Sequence, residues 1–135
     1  MLANYLELVK QVAQNLESII EKIDSLEFCP VTWKGSYSLL HELEAAVEQI
    51  DNLSEQLEPF YDETFCNDVQ NKAVVENIKV VDNCFIDFSS HFSKIYSVLE
   101  DEGPKEWYDA DYDYLSAQLN KAKQHLDQIL DMWQQ

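Results

Sequence analysis

The segment VVENIKVVDNCFIDFSSHFSKIYSVL, residues 74–99, decides the fold of this chain. Its apolar side chains recur at alternating spacings of four and three residues, which places them on one face of an α-helix. We predict a helix over residues 68–101 that ends before Gly103 and is the longest in the chain. The apolar positions are Val74, Ile78, Val81, Phe85, Phe88, Phe92, Ile95 and Leu99.

Three other segments repeat this spacing, and each predicts a further helix. The predicted helices cover residues 3–26, 37–58 and 104–133. Pro30 and Pro59 follow the first two helices because proline cannot extend a helix, whereas Pro104 suits a first helical position. The apolar positions are Leu2, Tyr5, Val9, Val12, Leu16, Ile19, Ile23 and Leu26; Leu39, Leu43, Ala46, Ile50, Leu53, Leu57 and Phe60; and Tyr108, Tyr112, Leu115, Leu119, Ala122, Leu126, Ile129 and Trp133.

A seven-residue repeat on every segment predicts an all-α fold. Helices with this repeat cross at about 20° with knobs-into-holes packing, and short connections favour antiparallel neighbours. We therefore predict one domain over residues 1–135, an antiparallel up-down-up-down four-helix bundle with heptad, coiled-coil-like packing. The flanking Leu6, Ala13 and Ile20 leave open an apolar groove for a partner helix or a homodimer seam.

The charge of the chain limits its partners. It has 26 Asp and Glu residues against nine Lys and no Arg, and its formal net charge is −17. Nucleic acids and anionic membranes attract Lys and Arg, so we expect direct binding to neither. A basic protein surface is the expected partner, because opposite fields steer association.

The cysteines and apolar runs indicate a cytoplasmic protein. Cys29, Cys66 and Cys84 are odd in number and widely spaced, and no CxxC pair or signal-peptide pattern is present. No apolar run approaches the roughly 20 residues that a transmembrane helix needs. We therefore expect a protein of the reducing cytoplasm.

The sequence offers no pattern for catalysis or for a metal. Helical bundles can hold two metals through ExxH pairs, but Ser38, Phe88 and Ala122 stand three residues before the three histidines. Asp109, Asp111 and Asp113 resemble the opening of a calcium loop. This segment, however, lacks the Gly that such a loop needs at its sixth position and the Glu at its twelfth. We predict no enzymatic activity, no metal and no other cofactor.

Acidic residues form a regular row on the second predicted helix. Their spacing of four and three residues places them on one outer face, and between Lys34 and Lys72 the chain has no basic residue except His41. One interpretation is a solvated face that serves solubility. The other is a row of carboxylates spaced somewhat like the phosphates of a nucleic-acid strand. The row consists of Glu44, Glu48, Asp51, Glu55 and Glu58.

Acidic and aromatic residues are also mixed at two predicted turns. Aromatic side chains surrounded by charge are favoured as interface anchors. At the turn between the second and third predicted helices, Phe60, Tyr61, Asp62, Glu63 and Phe65 form such a mixture, and Asp62 is predicted to bind a partner. The turn into the fourth predicted helix adds the candidate partner-binding residues Glu102, Glu106, Trp107, Asp109, Asp111, Asp113 and Tyr114.

The charge distribution favours an inhibitor. We predict a non-catalytic acidic protein that occupies the positive groove of a nuclease, toxin or nucleic-acid-binding protein. In composition alone it is similar to acidic helical nucleic-acid mimics and nuclease inhibitors of bacteria and phages, of the immunity, anti-restriction or anti-CRISPR type. The alternative is a helical scaffold or adaptor whose acidity serves only solubility.

Overall fold

The computed structural model describes the backbone of residues 2–26, 33–102 and 109–133, and the side chains of residues 4–26, 41–97 and 112–133. These ranges contain helices and no strand, so the all-α prediction is confirmed for them. They contain four long helices and one short helix, and two 3₁₀ turns flank the short helix. In chain order the elements are α1 (Leu2–Asp24), α2 (Trp33–Gln56), the 3₁₀ turn Glu58–Tyr61, α3 (Glu63–Cys66), the 3₁₀ turn Val69–Asn71, α4 (Lys72–Glu102) and α5 (Asp109–Trp133).

The long helices match the predicted segments, but their ends differ. Helix α2 begins at Trp33, so that Gly35 lies inside it, although the predicted start was residue 37. A glycine inside a helix costs about 1 kcal/mol relative to alanine and does not forbid the helix. Helix α4 begins at Lys72 because residues before it form a separate turn. Pro104, the predicted start of the last helix, lies outside the described residues.

The connection between α2 and α4 is itself folded. Asp62 caps α3 by accepting a hydrogen bond of 3.4 Å from the Thr64 amide, and Asp68 accepts one of 3.0 Å from the Gln70 amide. Phe60 and Phe65 are buried, and they join the core at the end of the long helices. The connection is therefore a packed part of the domain that the heptad pattern did not predict.

The core follows the apolar positions of the heptad pattern. Nearly all of those on the described side chains are buried, and Tyr5, Leu26, Ile95, Tyr112 and Trp133 are partly buried against them. Of the three residues predicted to flank the first stripe, Ala13 is buried, whereas Leu6 and Ile20 are half-buried. The largest fully buried side chains are Phe60, Phe88, Leu16, Ile23, Leu43, Ile50, Leu57, Ile78, Leu115, Leu119, Leu126 and Ile129.

Each long helix packs against two others. Helix α1 contacts α2 and α5, and α4 contacts α2 and α5. Lys22 near the end of α1 pairs with Glu42 in the first half of α2 at 3.2 Å. His125 in the second half of α5 lies 2.7 Å from Asn77 near the start of α4. Within the described ranges, no helix is both long and apolar enough to cross a membrane.

Candidate functional site

The acidic residues of α2 lie on its solvent face. The side chains of Glu44, Glu48, Asp51 and Glu55 are all exposed. At about 100° per residue their spacing keeps them within roughly 60° of one another around the helix. Glu58 is also exposed, but it begins the 3₁₀ turn after α2 instead of extending the helix as predicted. We call these five residues the acidic row.

Core residues occupy the opposite face of α2. Leu43, Ala46, Ile50 and Leu53 are buried there, so helix packing fixes which way the acidic row points. The exposed His41 lies three residues before Glu44 and continues the same face. A local sequence pattern thus becomes a one-sided charged surface because the other side of the helix belongs to the core.

No lysine with a described side chain forms an ion pair with the acidic row. Among the described side chains, ion pairs join Lys22 to Glu42 and Lys123 to Asp127, and neither pair includes a member of the row. Like charges three or four residues apart on a helix repel each other by roughly 0.2–0.5 kcal/mol per pair. The row therefore keeps its charge and its repulsion.

A polar cluster connects α2 and the following turn to α4. Asp82 on α4 accepts hydrogen bonds from the hydroxyls of Ser54 at 3.1 Å and Tyr61 at 2.5 Å. Burial, and then the hydrogen bond to Asp82, raise the pKa of Tyr61 above its usual range. The Tyr61 hydroxyl thus stays protonated and holds the turn that carries Glu58 against α4.

The predicted corner of acidic and aromatic residues is described only in part. Asp113 is exposed, and Tyr114 is 40% exposed with its ring centroid 4.4 Å from that of His91 on α4. Glu102, Asp109 and Asp111 lie in helices, but their side chains fall outside the described residues, as do Glu106 and Trp107 altogether. A joint surface at this corner stays a prediction.

A cleft lies where the start of α1, the end of α5 and the turn between α2 and α4 meet. Its volume is about 640 Å³. The rings of Tyr5 and Phe65 are 4.4 Å apart, and Phe60 stacks on Trp133 at 6.3 Å between ring centroids. The lining residues are Tyr5, Asp62, Thr64, Phe65, Asp68, Gln70, Asn71 and Trp133.

Of the described residues that line this cleft, the sequence predicts only Asp62 to bind a partner. Tyr5 and Trp133 were assigned to the heptad stripes, and they come from nearly opposite ends of the chain. The sequence predicts that a long helix starts at Asp68, whereas Asp68 caps a separate turn. The only sequence feature that points to this cleft is the acidic and aromatic composition of residues 60–65. That composition does not show which residues pack against them.

The described side chains include neither a metal-binding cluster nor an exposed reactive thiol. Among them, no three His, Cys, Asp or Glu residues form a group that could hold a metal ion. Cys84 is buried, and burial raises the pKa of its thiol, while the Cys66 thiol donates to the Phe60 carbonyl at 2.9 Å. Both sulfur atoms therefore take part in packing or hydrogen bonding within the fold.

No family model, curated protein or solved structure matches this chain. The exposed acidic row is therefore the main feature that bears on its function.

Proposed function

We propose that this protein is a non-catalytic acidic inhibitor. In this proposal it acts in the cytoplasm and occupies the positive groove of a basic nuclease, toxin or nucleic-acid-binding protein, as immunity, anti-restriction or anti-CRISPR-type nucleic-acid mimics do. The observation that supports it most is the acidic row, whose carboxylates are exposed, four of them on one side of α2, and lack ion-pair partners among the described side chains. The partner would supply the missing cations.

The spacing of the row is compatible with mimicry of a nucleic-acid strand. Glu44 and Glu55 are separated by about 16.5 Å along the helix axis, so successive residues of the row on α2 stand about 4.5–6 Å apart along that axis. One DNA strand carries a charge about every 3.4 Å along its axis. A groove that binds a phosphate strand would therefore meet a similar, somewhat sparser row of negative charges.

We infer further that the long helices form an antiparallel up-down-up-down four-helix bundle with heptad packing. Contacts of Lys22 with Glu42, and of His125 with Asn77, support this arrangement because each joins the late part of one helix to the early part of its neighbour. Such a frame would hold the acidic row straight while a partner binds.

The test requires the partner and a charge reversal. The protein is used as bait at low salt, the retained basic protein is purified, and its affinity is measured across a salt series with duplex DNA as competitor. We expect affinity to fall steeply with salt, and duplex DNA to displace the protein. Glu48→Lys combined with Glu55→Lys should abolish binding.

A matched variant controls for net charge. Glu76→Lys combined with Asp87→Lys makes the same charge change on exposed residues of α4 and should retain most of the binding. Unchanged binding after reversal of the row would overturn the proposal. A salt-tolerant complex that is lost on replacing the exposed Ile86 would favour the scaffold alternative, and self-association of the bait would favour a homodimer.

A further inference from the structure

The cleft at the start of α1, the end of α5 and the turn between α2 and α4, which we call the end cleft, combines an apolar interior with an acidic mouth. Phe65 is buried, while Tyr5 and Trp133 are half-buried and add their rings to the walls. Asp62 and Asp68 are exposed at the cleft. Its volume of about 640 Å³ falls within the range of cavities that hold small ligands.

The caps restrict how the mouth can change shape. Asp62 and Asp68 each accept a backbone hydrogen bond two residues further along the chain. Each carboxylate has a second oxygen and spare lone pairs for a ligand. The Asn71 amide nitrogen donates to the Phe65 carbonyl at 3.1 Å, which fixes the side chain beside the aromatic wall. The acceptors of the mouth are thus held in place before any ligand arrives.

This chemistry suits a flat organic cation. Aromatic faces attract cations, and a guanidinium group can stack on a ring while its N–H groups bind carboxylates. Among the described residues, no Lys or His lines the cleft to compete for Asp62 and Asp68. An ammonium group has three donors on a single nitrogen and cannot stack as a plane, so guanidinium fits better.

We propose that the end cleft binds an arginine side chain of the basic partner and anchors that partner beside the acidic row. That the arginine belongs to a basic partner protein rests on the proposed function, but binding of a guanidinium group by the cleft does not. Arginine buried in a central pocket of an interface commonly carries much of the binding energy, whereas a row of exposed charges mainly steers association. The cleft would therefore slow the dissociation of a complex that forms by charge attraction.

The experiment uses a small probe and the full chain. Nα-acetyl-arginine methylamide is titrated into ¹⁵N-labelled protein, and the indole N–H signal of Trp133 is followed after assignment with Trp133→Phe. We expect a saturable shift with a dissociation constant on the order of millimolar. The citrulline analogue has nearly the same shape without the charge and should bind at least about tenfold more weakly, and the lysine analogue should also bind more weakly.

The variants separate charge from folding. Asp62→Asn combined with Asp68→Asn keeps both caps, since asparagine caps as well as aspartate, and should weaken the arginine probe about tenfold. Glu76→Gln combined with Asp87→Asn removes two exposed charges from α4 and should leave probe binding within about twofold. Equal binding of the citrulline or lysine probe, or an undiminished affinity of the cleft variant, would overturn the proposal.

The acidic-row variant distinguishes the two proposals. Glu48→Lys combined with Glu55→Lys should still bind the arginine probe, because neither residue lines the cleft. A partner complex that forms and depends on the row, while the probe does not bind, would refute only the arginine cleft. A probe that binds without any basic partner being retained would refute only the inhibitor proposal.

Discussion

Tyr112 at the start of α5 donates a hydrogen bond of 2.6 Å to Asp24 at the end of α1. This bond and the ring contact of Tyr114 with His91 place neighbouring aromatic residues of α5 against two different helices. Part of the predicted aromatic corner thus has a structural role. The bond to Asp24 also raises the pKa of Tyr112, because ionisation of the phenol would place two negative charges side by side.

Tyr112→Phe tests this bond through stability and its dependence on pH. We expect a loss of about 1 kcal/mol at neutral pH, the usual net value of such a bond. Because folding raises the pKa of Tyr112, its contribution is complete below the unfolded value of about 10 and is lost as pH rises through the folded value. Urea unfolding followed by circular dichroism from about pH 7 to about pH 11 measures both effects.

The comparison of the two proteins gives the diagnostic result. As pH rises above about 10, the difference in unfolding free energy between the wild type and Tyr112→Phe should shrink. A difference that stays constant over this range would show that Tyr112 ionises alike in the folded and unfolded chains. It would contradict the role assigned to the bond with Asp24.

Two isoleucines of α4 provide a matched test of core packing. Ile78 is fully buried, whereas Ile86, eight residues later, is 59% exposed. Replacing Ile78 by alanine should lower the free energy of unfolding by about 2–5 kcal/mol, the cost of lost burial and of the remaining cavity. Ile86→Ala should change it by less than about 0.5 kcal/mol. Equal losses at both positions would contradict the burial pattern.

The same residues show what the sequence could predict. The heptad spacing identified Ile78 as buried and left Ile86 outside the stripe, because burial on one helix face is a local property of the sequence. Likewise it placed Glu48 on the outside of α2. The end cleft is different in kind, since it forms only when Tyr5 and Trp133 meet across the fold. No local pattern encodes that meeting.

The structure of the turn between α2 and α4 was not predicted, for a different reason. Pro59 marks the end of the second helix, as predicted, and α2 ends three residues before it at Gln56, but Asp62 and Asp68 each cap a short helical element of their own. Such elements are too short to show periodicity, and their signal is the capping residue alone. The sequence therefore presents Asp62 only as a candidate partner-binding residue, although it also accepts a backbone hydrogen bond.

Cys84 should be protected from alkylation in the folded protein. Its side chain is buried, and burial raises the pKa of its thiol, so both access and the reactive thiolate fraction are reduced. Brief treatment with iodoacetamide followed by peptide mass spectrometry should find Cys84 unmodified in buffer and modified in urea. Cys66 is half-buried and should react faster than Cys84. Rapid modification of Cys84 in buffer would place it at the surface.

The acidic row should lower the stability of the protein that carries it. Glu48 has Glu44 four residues before it and Asp51 three residues after it, so Glu48→Gln should remove two repulsions and raise the unfolding free energy by about 0.4–1 kcal/mol at low salt. Added NaCl screens exposed charges, and the gain should shrink in about 1 M salt. Chemical unfolding at both salt concentrations measures the change.

Glu76→Gln is the control with the opposite sign. Glu76 stands four residues after Lys72 and three before Lys79 on α4, so removing its charge should lower stability by a similar small amount. If Glu48→Gln stabilises the fold and also weakens the partner complex, then the row costs stability that binding recovers, as is common at functional sites. If Glu48→Gln stabilises without affecting any complex, the charge serves solubility alone, as the scaffold alternative requires.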